Sequence, residues 1–176
     1  MSIKKMGENY TQLVEDCRHR DRKAMRRLYD LTAPMAMGVC MRYCRNRETA
    51  QDVMQEGYIK VYEGLKRVRK PEKVMSWVYH VMVNECINHC HRQKPTEYLE
   101  DNQAVEPAVF PTDPFGDEEV VLALQQVPPR QRAVFNMLEV EGLTEEEVSK
   151  RMATPVTNVR TLLTRARNCL KEILTK

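Results

Sequence analysis

The sequence predicts an all-α protein of two small helical domains joined by an acidic, proline-containing linker. Three observations carry this. Apolar residues recur at three- and four-residue spacing through both flanks of the chain. No segment shows sustained strand alternation bounded by turn signals, and no internal repeat is visible. Between the flanks, residues 95–119 hold eight Asp or Glu and no Lys or Arg, with Pro95, Pro107, Pro111 and Pro114 among them. Proline removes a backbone donor and disfavours helix in the residue before it, so this strip reads as an extended linker. The expected division is 1–94, 95–119 and 120–176.

Each predicted element has a local reason. Leu13 and Cys17 share one face of a short opening helix. A longer helix follows, with Ala24, Leu28, Leu31, Met35, Val39 and Tyr43 as its stripe. Pro34 falls inside it and predicts a kink or a shortened first turn. Asn46 suits the cap of a helix over roughly 47–67, striped by Ala50, Val53, Met54, Tyr58, Val61, Tyr62 and Leu65. Pro71 suits the first turn of a fourth helix carrying Val74, Trp77, Val78, Val81 and Met82. In the second block, Val120, Val121, Leu124 and Val127 precede Pro128-Pro129 and a helix with Ala133, Val134, Met137 and Leu138. Gly142 supplies a turn that can take positive φ. Thr144 and Glu147 form a capping box ahead of Val148 and Met152. Thr154-Pro155 opens the last helix, a cap followed by proline, with Val159, Leu163, Ala166, Leu170 and Ile173 buried. Its opposite face shows Thr157, Arg160, Thr161, Thr164, Arg165 and Asn168. Two short helices joined by a tight turn, the second polar and basic outside, make a helix-turn-helix.

Composition narrows the function. The chain has 176 residues, 42% hydrophobic and 30% charged, the balance of a folded soluble protein. No apolar run approaches the ~18 residues a membrane span requires. The opening MSIKKMGENY has no apolar stretch behind its lysines and does not read as a secretory signal. Three Phe and one Trp offer few platforms for stacking bases on a sheet. The net charge of +3 is a cancellation, because residues 1–94 hold 19 basic and 11 acidic side chains and residues 120–176 hold 9 and 6. Both flanks are therefore basic, as a nucleic-acid partner requires. Arginine can bond a guanine edge twice, and threonine can bond bases or phosphates or set its methyl against thymine. An ordinary charged surface helix is an equally weighted reading of that face alone.

Six cysteines, Cys17, Cys40, Cys44, Cys86, Cys90 and Cys169, read as small buried hydrophobes. Pairs four apart on a helix seldom bridge well. Cys86, His89, Cys90 and His91 suggest zinc, but one helix cannot surround a metal tetrahedrally without further ligands. No phosphate loop, nucleophile elbow or ordered triad is present, so no catalytic residue, cofactor or metal is expected.

The ordered motifs resemble a known family. PPRQR at 128–132, EGLTEEEVSKRM at 141–152 and VRTLLTRAR at 159–167 resemble the C-terminal domain of bacterial RNA polymerase sigma factors. AQDVMQEGYIKVYEGL at 50–65 and SWVYHVMVNECINHCHRQK at 76–94 resemble the family's other domain. The order and length are those of the small extracytoplasmic-function group. The resemblance implies a transcription initiation factor that binds core RNA polymerase, recognises the minus-thirty-five and minus-ten promoter elements, and stabilises the melted strand. Asp52, Gln55 and Glu56 match the polymerase-binding positions. Asn84 and Asn88 match the residues that read the separated minus-ten strand, and Arg69, Lys70 and Lys73 sit in the loop that would grip it. Trp77 matches a family aromatic, with core packing the simpler role. Arg160, Thr161, Thr164 and Arg165 match base-contacting positions at the upstream element, with Arg167 on a phosphate. Leu162 stands where the family usually has a basic residue, which predicts one weaker backbone contact. The acidic linker either mimics nucleic acid in a positive channel or acts as a self-repelling spacer. The resemblance also implies an anti-sigma partner, a cytoplasmic location, no membrane insertion and a monomeric free state. The rival is a helix-turn-helix regulator that acts without being a polymerase subunit.

Overall fold

The computed structural model describes residues 9–93 and 118–175, so most of the predicted linker lies outside the described residues. The order is α1 (Tyr10–Arg18), α2 (Arg22–Tyr43), α3 (Arg47–Gly64), 3₁₀ turns at Leu65–Arg67 and Pro71–Lys73, then α4 (Val74–Arg92). After the linker come α5 (Glu118–Gln126), α6 (Pro129–Phe135) with a π-helical extension over Asn136–Val140, α7 (Glu145–Met152) and α8 (Val156–Leu174). No strand occurs among the described residues.

Caps fix several helix starts. Asn9, Asp21 and Asn46 each accept the backbone N–H three residues on, at 3.1, 2.8 and 2.8 Å. The Thr144–Glu147 capping box forms in both directions. Thr154 departs from expectation. Pro155 is the N-cap of α8, and the Thr154 hydroxyl instead accepts the Asn158 side-chain amide at 2.7 Å. Ala153 closes α7 in the left-handed region at φ 47°, a conformation that glycine usually takes. Gly142 adopts φ 69°, as a turn there requires. Pro34 does not break α2, which runs unbroken from Arg22 to Tyr43. The proline and Asp30, whose carbonyl loses its partner, are both exposed, so water can take the missing bond.

Helices α2, α3 and α4 pack around Leu28, Val39, Val53, Val61, Val78 and Met82, all at most 1% exposed. Gly57 makes this closeness possible: a Cβ there would stand 2.5 Å from Met82 Sδ. The second lobe packs α8 across α6 and α7. Its PPRQR run has a structural role, because Arg132 is 1% exposed and donates to the Gln125 carbonyl at 3.1 Å. A cation there satisfies an orphan carbonyl at the end of α5. The apolar core does not stop at the lobe boundary. Val121, Ala133, Val134, Met137, Val148, Met152 and Val159 join the same buried cluster as α2–α4.

Candidate nucleic-acid and protein interfaces

The expected polymerase-binding residues share one side of α3. Asp52, Gln55 and Glu56 are all exposed, because Val53, Met54 and Gly57 turn the opposite side into the core. Ile59, 59% exposed, continues the same face one turn on. Glu56 is tied to α4: Arg92 donates to its carboxylate at 2.6 Å. The same guanidinium reaches Glu85 at 3.2 Å, and Lys60 also pairs with Glu85. Glu85 is 1% exposed. Burial alone would raise its carboxyl, but hydrogen bonding and charge from Lys60, with help from Asn88 and Arg92, outweigh it and hold the group below the usual carboxylate range.

On α4, Asn84 and Asn88 are exposed one turn apart. Neither is idle. Asn88 helps hold the Glu85 carboxyl below its usual range, and Asn84 Oδ1 accepts from Arg151 at 3.0 Å. Trp77 is half-buried and lies against Gly64, where a Cβ would approach its ring to 2.9 Å. That placement favours packing over wedging. Arg69, Lys70 and Lys73 are exposed on the turn before α4. The turn is anchored from α1, since Arg18 donates to the carbonyls of Leu65 (3.2 Å) and Val68 (2.5 Å).

On α8, Arg160, Thr161, Thr164, Arg165 and Arg167 are all exposed, while Val159, Ala166 and Leu170 face inward. The threonine hydroxyls bond back to Thr157 and Arg160 carbonyls at 3.0 and 2.9 Å. Arg160 pairs with Glu145 at 2.7 Å, and Arg167 pairs with Glu139. Arg165 shows no ion pair among the described residues. Leu162 is half-buried against the core rather than turned to the basic face.

Among the described residues the side chains of Cys86, His89, Cys90 and His91 do not converge with others into a ligand set. Cys86 Sγ lies 3.8 Å from Cys40 Sγ, Cys90 Sγ faces the Pro129 carbonyl at 3.7 Å, and His89 bonds Gln93 at 3.0 Å. His91 bonds the Arg151 carbonyl instead. Burial pushes the Cys86 and Cys90 thiols up, away from the ligating thiolate form. Five of the six cysteines are buried and Cys169 is half-buried.

Sequence reasoning missed Arg18, Glu85, Arg92 and Arg151. Their partners lie far off in the chain, 47 residues for Arg18–Leu65 and 67 for Arg151–Asn84. Spacing rules reach only one or two helical turns.

Comparison with known proteins settles the family. The Sigma-70 region 2 family model matches residues 28–96, and the Sigma-70 region 4 model matches 117–170. The RNA polymerase sigma-H factor of Pseudomonas aeruginosa is 28% identical, over 95% of this chain and 94% of its own. The ECF RNA polymerase sigma-E factor of Escherichia coli is 28% identical over 94% and 95%. The chain belongs to the extracytoplasmic-function sigma factors. The sigma factor RpoE of Bartonella quintana, solved in complex with the anti-sigma factor NepR, shares its fold, with a TM-score of 0.53 at 18% identity over 87% of this chain and 98% of that one. This sigma factor is thus a transcription initiation factor that binds core RNA polymerase and recognises promoter DNA. It is not an enzyme. The region 2 match sets aside the reading of a regulator that works apart from polymerase. Among the described residues no helix is long and apolar enough to cross a membrane.

Proposed function

We propose that three separate polar faces divide the work of this sigma factor. Asp52, Gln55 and Glu56 on α3 dock the largest subunit of core polymerase. Asn84 and Asn88 on α4 read the separated minus-ten strand, and Arg69, Lys70 and Lys73 hold its backbone. Arg160, Thr161, Thr164 and Arg165 on α8 read the minus-thirty-five duplex, with Arg167 on a phosphate. The observation that carries this reading is the sidedness of the three helices: each expected residue is exposed while its neighbours one or two positions away are buried. Exposed arginine and asparagine at one-turn spacing suit base edges, and phosphate contacts make the affinity fall with salt. The two reading units correspond to residues 1–94 and 120–176, with 95–119 as the acidic tether.

The setting follows from the chemistry. Core polymerase and promoter DNA place the chain in the cytoplasm as a free monomer before assembly. A partner that masks the exposed faces, an anti-sigma factor, would control it. Run-off transcription with purified core polymerase on a promoter library tests the reading. Asp52→Arg should weaken core binding first. Arg165→Ala should leave core binding intact and lose discrimination at the upstream element, by about 1–3 kcal/mol for a bidentate base contact. If both variants changed only thermal stability, the division of roles would be wrong.

A further inference from the structure

The outer side of α8 carries two arginines in different settings. Arg160 is paired across the turn of the helix-turn-helix. Its Nε donates to Glu145 Oε2 at 2.7 Å, and its Nη2 stands 2.7 Å from the same oxygen. Arg165, further along the same face, shows no ion pair among the described residues. Glu145 lies in the first turn of α7 with Glu146 and Glu147. Glu147 does the capping, since its carboxylate accepts from the Thr144 backbone at 2.8 Å and hydroxyl at 3.0 Å. Glu145 has no part in that box and turns to α8 instead. The pair is open to water, with 63% of the Arg160 side chain and 32% of the Glu145 side chain exposed. Exposed ion pairs add little to stability, so folding alone gives no reason for it.

The pairing decides which edge of Arg160 is on offer. A guanidinium is planar and donates along a side edge, Nε with Nη2, and along an end edge, Nη1 with Nη2. Glu145 takes the side edge. The end edge is left, and its two parallel N–H groups match guanine O6 and N7. An arginine without such a tether can swing to a phosphate, and a phosphate contact carries no sequence information. It must also surrender side-chain rotamers on binding, whereas a held side chain is already ordered. The carboxylate has a second effect. It sets a negative charge beside a DNA-facing surface, which lowers affinity for every sequence alike. The arrangement therefore gives up general affinity and sharpens discrimination.

We infer that Glu145 is a positioning residue for promoter recognition: it holds Arg160 side-on, so that the end of the guanidinium reads a guanine in the minus-thirty-five element and is kept off the DNA backbone. The inference rests on the proposed base contact of Arg160.

The test uses the full chain assembled with purified core polymerase. The holoenzyme is equilibrated with promoters randomised across the minus-thirty-five element, and the bound and unbound pools are sequenced. Arg160→Ala locates its base pair as the position whose guanine preference disappears. Glu145→Ala should weaken the preference at that same position at least about fivefold. It should leave the preference set by Arg165 as in the wild type, and tighten binding to promoters with a scrambled element. Glu145→Gln keeps an acceptor without the charge and should fall between Glu145→Ala and the wild type. Glu146→Ala removes the same charge from the same helical turn and should leave every base preference intact. In the double variant, Glu145→Ala should take away nothing beyond the effect of Arg160→Ala. An unchanged preference in Glu145→Ala, an equal loss in Glu146→Ala, or an added loss in the double variant would overturn the positioning role. The last of these would make Glu145 a base contact in its own right. Failure of the underlying reading shows separately, because Arg160→Ala would then remove no guanine preference. Circular dichroism checks that each variant keeps the helix content of the wild type.

Discussion

Glu85 shows how one side chain can belong to two interfaces. Its buried carboxylate is held by Lys60 from α3 and Arg92 from α4, and Arg92 also holds Glu56 on the face proposed to meet polymerase. Its native pKa is depressed. The stability it supplies is therefore present above the ordinary carboxylate pKa of ~4.3 and is lost as pH falls through the lower native value. Glu85→Gln should flatten the acid limb of urea midpoint against pH and leave the neutral limb shifted only modestly. Glu85→Ala should cost about 1–3 kcal/mol at neutral pH, since Lys60 and Arg92 are half exposed and can rehydrate. A wild-type acid limb retained in Glu85→Gln would show that other carboxylates govern acid unfolding. At the same scale Arg165 differs from its neighbours. On the proposed reading Arg167 would have to leave Glu139 to meet DNA, whereas Arg165 shows no such ion pair to break among the described residues.

The helices record what periodicity can and cannot reveal. The stripes of α2, α3 and α8 were legible because burial repeats with the helical turn, and the Asn46 cap and Thr144–Glu147 box because capping is local chemistry. The candidate faces on α3, α4 and α8 were legible through motif resemblance, and the fold exposes those residues. What stayed hidden was tertiary. The π turn at Asn136–Val140 points the Asn136 amide at α2, and no spacing rule anticipates a partner 94 residues away. The packing of Leu162 against the core was equally out of reach, because a linear comparison does not know which side of α8 turns inward. The close crossing of α3 and α4 was equally invisible, since it depends on Gly57 facing Met82. Gly57→Ala should gain roughly 1 kcal/mol of helix propensity and lose about 1–3 kcal/mol through overpacking. The expected net is a loss, read as a lower denaturation midpoint. Met82 is unbranched, so Gly57→Val should be far worse than Gly57→Ala.

For the molecule as a whole, the shared apolar cluster couples the two lobes in stability. Residues from α6, α7 and α8 sit in the same cluster as those of α2–α4. Heat or urea should then unfold the free chain in one transition rather than two. Charge follows a different division, with basic units on either side of an acidic tether, so the small net charge of +3 describes neither half. The opening helix stands outside both matched spans. Helix α1 precedes the region 2 match at 28–96, yet its Arg18 holds the carbonyls on which the basic turn before α4 is hung. The opening helix is thus a strut for a surface some fifty residues downstream. Arg18→Ala would keep the buried face of α1 in place but slacken that turn. On the proposed roles, this variant should retain affinity for core polymerase while its open complexes decay faster than those of the wild type.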